Sequence, residues 1–355
     1  MKNFRLGWLA AAAAAAVLAA CGGGGDGDQT PRVKYGKLVS FGDSLSDVGS
    51  YKVGVVAQLG GGKYNINGAT GLNWTELLAA QAGVAAPCAA QTGLNSVAQL
   101  GGAVPVVNHT GCYGYAQGGA RVTNPIGPAN AALLALGDTS AALGQLTVPI
   151  VTQIANHLTA SGGSFAADDL VTVMAGGNDI FMNLAAVQGG ATPDMAVAAM
   201  ATAAGELAGY VKTEILAKGA KHVVVVNLPD VSTTPYGISL GAQTQGLILA
   251  MVNAFNTRLS TDLAGQDVVY VDAYTVGQDQ TQHPDQYGLT NVTTPACNLA
   301  TMTLPTSLTC NASTLITGQT IDTHYEYADS VHPTPYGYKL LAQLVTDNLL
   351  KKGWL

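Results

Sequence analysis

Four short runs of aliphatic and β-branched residues, at 37–41, 170–174, 222–227 and 268–271, are bounded by turn-forming residues and read as strands. A weaker strand lies at 112–116. Helical patterns fall between them. Thr192-Pro193-Asp194 supplies an N-cap, a first-turn proline and a first-turn acid, and the pattern runs to Lys218 with Gly219 as its stop. Two more helices are expected at 139–158 and 240–263. The last opens at Thr334-Pro335, sets Tyr336, Leu340, Leu341, Leu344, Val345 and Leu349 on one face, and ends near Lys351-Lys352-Gly353. Strands alternating with helices predict an α/β fold, a parallel sheet with helices on both faces. Two stretches, roughly 51–109 and 274–326, are rich in Gly, Thr, Asn and Pro and fit neither pattern. They are expected to be long loops over the sheet.

At about 150 residues per domain, 355 residues suggest two domains. Charged residues are only 10% of the chain, against about 25% in typical proteins. With 48% hydrophobic residues, that argues against disorder. Lys and Arg total 15 against 22 Asp and Glu, a net charge of −7 with no basic stripe, so a nucleic-acid partner is excluded.

The N-terminus reads as an address. Lys2 and Arg5 precede an apolar run from Leu6 to Ala20, too short for a spanning helix of about 20 residues and typical of a secretory signal. Leu18-Ala19-Ala20-Cys21, followed by a Gly/Asp-rich tether, resembles the bacterial lipoprotein box, in which Cys21 is lipidated and becomes the new N-terminus. The alternative is an ordinary signal peptide that contains a cysteine. The resemblance divides the chain into a signal peptide (1–20), a lipidated Cys and tether (21–33) and one folded domain (34–355). With Gly22 after the cysteine, it implies export to the outer membrane or cell surface and a membrane contact through the lipid anchor.

Cys88, Cys112, Cys297 and Cys310 remain, an even number that suggests disulfides in an exported chain. Proximity favours Cys88–Cys112 and Cys297–Cys310, each worth about 3 kcal/mol by loop closure. A zinc site is the alternative, but no CxxC or Cys/His cluster supports it. If the staples wall a substrate groove, reduction should lower activity or stability.

The first strand ends in Gly42-Asp43-Ser44-Leu45, placing Ser44 at the carboxyl edge of the sheet, where open α/β folds bind ligands. A helix following it would aim amides and a partial positive charge at an oxyanion. Near the other end, Asp329-Ser330-Val331-His332 presents a carboxylate and an imidazole from one short turn, the pairing that lets histidine take and return a serine proton. A rival pair, Asp322 and His324, has no helix start to fix it. His109, His157, His222 and His283 lack a comparable acid and read as surface or packing residues. Gly176-Gly177-Asn178-Asp179 ends the second main strand and offers an amide donor. Gln117-Gly118-Gly119 offers a backbone amide from a glycine turn.

Together, Gly42-Asp43-Ser44-Leu45, Gly119, Gly177-Asn178-Asp179, Asp329 and His332 resemble, in chain order, the blocks of the GDSL (SGNH) hydrolases. Tyr287-Gly288-Leu289-Thr290-Asn291-Val292 and the Cys297 segment are similar to that family's larger lipase/esterase branch. The resemblance implies a flavodoxin-like three-layer α/β/α sandwich with long loop insertions. It implies hydrolysis of small-molecule or lipid esters through an acyl-serine, with Ser44 as nucleophile, His332 as base and Asp329 as its orienting acid. The oxyanion hole would comprise the Ser44 amide, the Gly119 amide and the Asn178 side chain. Gly114 stands where many members carry Asn, so Gly118 is kept as an alternative donor. One centre drawing on both ends of the chain replaces the two-domain expectation with one domain. Competing roles are a polysaccharide O-acetyl esterase and a non-catalytic surface lipoprotein that binds a partner. No phosphate-binding loop or metal cluster is evident, so no cofactor or metal is expected.

Overall fold

The computed structural model describes residues 33–355. The expected signal peptide, Cys21 and most of the tether lie outside the described residues. The strands are β1 (Lys37–Gly42), β2 (Gln91–Leu94), β3 (Val104–Asn108), β4 (Asp169–Met174), β5 (His222–Val226) and β6 (Val269–Val271). The helices are α1 (Gly54–Gln58), α2 (Trp74–Gln81), α3 (Ile150–Ala160), α4 (Gly177–Gln188), α5 (Pro193–Tyr210), α6 (Pro235–Ser239), α7 (Gly241–Leu263), α8 (Ala273–Gln282) and α9 (Pro335–Lys352).

The main sheet is parallel, in the order β1-β4-β5-β6. The weak strand anticipated at 112–116 runs parallel along the free edge of β1. Ser40 N donates to Tyr113 O (3.0 Å) and Tyr115 N donates to Ser40 O (2.8 Å). With that segment the spatial order is the flavodoxin-like 2-1-3-4-5, which reverses direction at β1 and opens a crevice beyond its carboxyl end.

Period-two alternation divides the strand side chains between two cores. Val39, Phe41, Val171, Val173, Val223 and Val225 pack against α3, α4, α5 and α7. Leu38, Leu170, Met174, Val224, Val226 and Val271 pack against α2 and α9. The result is a three-layer α/β/α sandwich, and residues 33–355 cluster as one unit. Among the described residues no helix is long and apolar enough to cross a membrane.

Four expectations are corrected or refined. Residues 139–158 are not one helix: a 3-10 turn at Thr139–Leu143 ends at Gly144, and α3 begins only after Pro149. A proline with no amide proton cannot continue the ladder from the preceding turn. Residues 51–109 are not all loop; they hold α1, α2 and the antiparallel β2–β3 hairpin. Most of α8 occupies the start of the second stretch. The helix expected to end at Lys218 closes through a wider π turn at Val211–Leu216 before Gly219.

Candidate active site

Ser44 stands in the turn just past β1. Gln153 of α3 clamps the strand end: its Oε1 accepts from Gly42 N (2.9 Å) and its Nε2 donates to Gly42 O (2.8 Å). The chain then folds through a tight turn in which Ser46 N donates to Asp43 O (3.1 Å). No helix follows Ser44, because the first one starts at Gly54. The helix start that lines the cleft beside Ser44 is instead that of α4, at Gly177 and Asn178.

Asp329 and His332 reach Ser44 from the turn before α9. His332 Nε2 lies 2.8 Å from Ser44 Oγ, and His332 Nδ1 lies 2.8 Å from Asp329 Oδ2. With its proton on Nδ1, the imidazole donates to Asp329 and accepts from the serine hydroxyl. Asp329 is almost fully buried, and its oxygens also accept from the amides of Val331 (2.9 Å), His332 (2.8 Å) and Ser307 (2.8 Å). Burial alone would raise its pKa. The adjacent imidazole and these hydrogen bonds outweigh burial and hold the carboxyl below the usual carboxylate range. Thr334 then caps α9 by accepting from Gly337 N (3.2 Å), which ends the turn and fixes its direction.

Gly118 and Gly119 part company here. Gly118 N already donates to Asp47 Oδ2 (2.9 Å), whereas among the described residues the amides of Ser44 and Gly119 donate to no group. Gly119 has φ +77°, and a Cβ there would lie 2.5 Å from Thr147 Cγ2, so only glycine fits. Asn178, in the first turn of α4, donates one amide hydrogen to Ala120 O (2.8 Å) and keeps the other free. Asp179 ties this helix to the glycine turn by accepting from Arg121 Nε (2.9 Å) and Val122 N (3.0 Å). The departure at Gly114 has a steric cause: a Cβ there would lie 2.6 Å from Val48 Cγ2 and 2.9 Å from Cys88 O.

Sequence reasoning missed several neighbours of Ser44, Asp329 and His332. Tyr64 packs its ring on His332 at 4.7 Å between centroids, and its buried hydroxyl has no hydrogen-bond partner. Burial raises Asp43 to about 6, and its Oδ1 accepts from Leu45 N (3.0 Å). Burial likewise raises Asp47 to about 6 and Glu326 to about 7. Ser44, Asn178 and His332 open into one cleft with a cavity volume of about 120 Å³, which extends past Phe181 and Leu228 to the gap between α8 and α9.

The other histidines stay away from Ser44. His324 stacks on Tyr336 and contacts Gly288 O, so the Asp322–His324 pair is not part of the site. His157 is buried beside Phe41 and Phe165, which lowers its pKa to about 4. His283 does have an acid partner that the sequence reading lacked: Asp279, one turn earlier at 2.8 Å on the surface. Cys88–Cys112 and Cys297–Cys310 are both bonded, as proximity favours. Neither lines the cleft that holds Ser44. Among the described residues no cluster of His, Cys, Asp and Glu could hold a metal ion.

The profile of the GDSL-like lipase/acylhydrolase family matches residues 38–345. The chain belongs to that family. A GDSL esterase/lipase of Arabidopsis thaliana is 30% identical over 101 residues, which is 26% of this chain and 24% of that protein. A second from the same plant is 32% identical over 108 residues, 29% of each chain. The chain thus matches less than a third of the length of these curated relatives. Among solved structures, a lipolytic G-D-S-L family protein from Veillonella parvula has 14% identity and a TM-score of 0.39, covering 88% of this chain and 96% of its own. An extracellular lipase from Streptomyces rimosus has 16% identity and a TM-score of 0.38, covering 88% and 99%. In this GDSL family member the matched span runs from β1 into α9 and so takes in both ends of the Ser44–His332–Asp329 line.

Proposed function

We propose that this protein hydrolyses carboxylic esters by a Ser-His-Asp triad through an acyl-serine intermediate. The 2.8 Å approach of His332 Nε2 to Ser44 Oγ carries this reading. Ser44 Oγ bonds to the ester carbonyl carbon as its proton passes to His332 Nε2. Asp329 keeps the imidazole oriented and balances the imidazolium charge. The carbonyl oxygen becomes an oxyanion, received by the unpaired amides of Ser44 and Gly119 and the free hydrogen of Asn178 Nδ2. As the carbonyl reforms, the alcohol C–O bond breaks and His332 returns the proton to the departing oxygen. Water, deprotonated by the same imidazole, then adds to the acyl-serine, releasing the carboxylic acid and regenerating Ser44. The two Arabidopsis relatives named GDSL esterase/lipase fit this reading.

The test is hydrolysis of a nitrophenyl ester by the purified chain. Ser44→Ala should lower kcat by about 10⁶-fold, and Asn178→Ala by about 10²–10³-fold. Wild-type turnover by a folded Ser44→Ala variant would overturn the assignment.

A further inference from the structure

The cleft reaches well beyond Ser44 and His332, and its far arm is built unlike its mouth. Beyond Leu228 it passes between α8 and α9. Ala273, Val276, Gly277, Gln280 and Thr281 of α8 all line it, and this spacing is one helix face. Leu341 and Leu344 of α9 line it too. The facing sides of α8 and α9 are therefore largely aliphatic, with Gln280 and Thr281 as their polar members, while Asp230, Thr233 and Glu326 line other parts of the cleft. At 1.5 Å per residue, the wall from Ala273 to Thr281 is about 12 Å long, the length of an extended chain of roughly ten carbons.

Gly277 sits mid-wall. Glycine weakens a helix interior unless a close neighbour excludes a side chain. At Gly337, also on the cleft, such a neighbour exists: a Cβ would lie 2.9 Å from Glu326 O. At Gly277 a Cβ would meet no atom within 4 Å. Gly209 and Gly246 are equally unobstructed but do not line the cleft. At Gly277, the volume that any other side chain would occupy is the volume of the arm itself.

We infer that the arm between α8 and α9 takes the acyl chain of the ester, that this chain is of medium length rather than acetyl, and that Gly277 keeps the arm open and so sets chain length. The inference rests on the ester-hydrolase reading and extends it to a substrate class. The aliphatic part of the wall stabilises methylene groups rather than hydroxyls.

A series of nitrophenyl esters from acetyl to dodecanoyl tests it, because only the acyl part varies. In the wild type, kcat/KM should rise by up to about fourfold per added methylene until the arm is filled. Gly277→Leu should cut the decanoyl-to-acetyl ratio of kcat/KM at least tenfold. Its melting temperature should rise or hold, since leucine favours the helix, which separates blockage from misfolding. Calorimetry of decanoate with Ser44→Ala reads the same arm without chemistry, and Gly277→Leu should weaken that binding too. A wild-type preference for acetyl, or an unchanged ratio and unchanged decanoate binding in Gly277→Leu, would overturn the inference while leaving the triad untouched. Decanoate binding sensitive to Gly277 in a chain that hydrolyses no ester would instead uphold the arm and overturn the hydrolase reading.

Discussion

Asp43 and Asp329 are both buried beside the same histidine, yet their carboxyls are driven in opposite directions. Asp329 is held ionised by three amides and the imidazole. Asp43 accepts fewer bonds, and burial prevails, raising it from 3.8 to about 6. A raised carboxyl pKa means that the fold penalises the ionised form. The penalty is absent below about pH 4, where Asp43 is protonated folded or unfolded, and is complete once the pH passes about 6. Asp43→Asn should therefore gain melting temperature relative to the wild type as pH rises from 4 to 7. A difference that stays constant over that range would contradict the burial account. Asp329 contributes with the opposite sign and at lower pH, and it is present in both proteins. Ser44, Asp329 and His332 could be named as candidates from the chain because each sits in a short motif whose residue types suit the proposed chemistry. Tyr64 and Ser307 could not, because each meets the triad across a long stretch of chain with no local pattern to announce it.

At the level of elements, the two disulfides have different duties. Cys297–Cys310 closes the loop carrying Ser307, whose amide holds Asp329 at 2.8 Å. Cys88–Cys112 instead borders the edge strand, where Gly114 N donates to Cys88 O (3.0 Å). Removing either pair by Cys→Ser substitution should cost about 3 kcal/mol in urea unfolding. Only the Cys297/Cys310 double variant should also lower kcat, since only it loosens the triad's acid. Equal kcat in the two double variants would contradict that division. The elements themselves were unevenly legible. Strands β1, β4, β5 and β6 and helices α5, α7 and α9 announce themselves by apolar runs and capping residues. Helix α2 carried a readable signal, the Asn73-to-Glu76 capping box, within a stretch otherwise taken as loop. The β2–β3 hairpin did not, because Gln91-Thr92-Gly93-Leu94 has the composition of a turn and is made a strand by its partner.

Over the whole molecule, the parallel sheet converts sequence distance into contact. The β1 turn supplies Ser44, the edge segment supplies Gly119, the start of α4 supplies Asn178, and the turn before α9 supplies Asp329 and His332. All of them lie at the carboxyl edge, around the point where strand order reverses. The blocks in chain order made that convergence legible. The cleft's depth was not, because its far arm is formed by two helices that the sequence does not show to be neighbours. The central claim is that this convergence activates one serine. The direct measurement is labelling of the native protein with a fluorophosphonate, with the modified peptide located by mass spectrometry. The account predicts one adduct, on Ser44, formed by the folded chain and lost after denaturation or in His332→Ala. An adduct on another serine, or labelling of Ser44 that survives loss of His332, would contradict it.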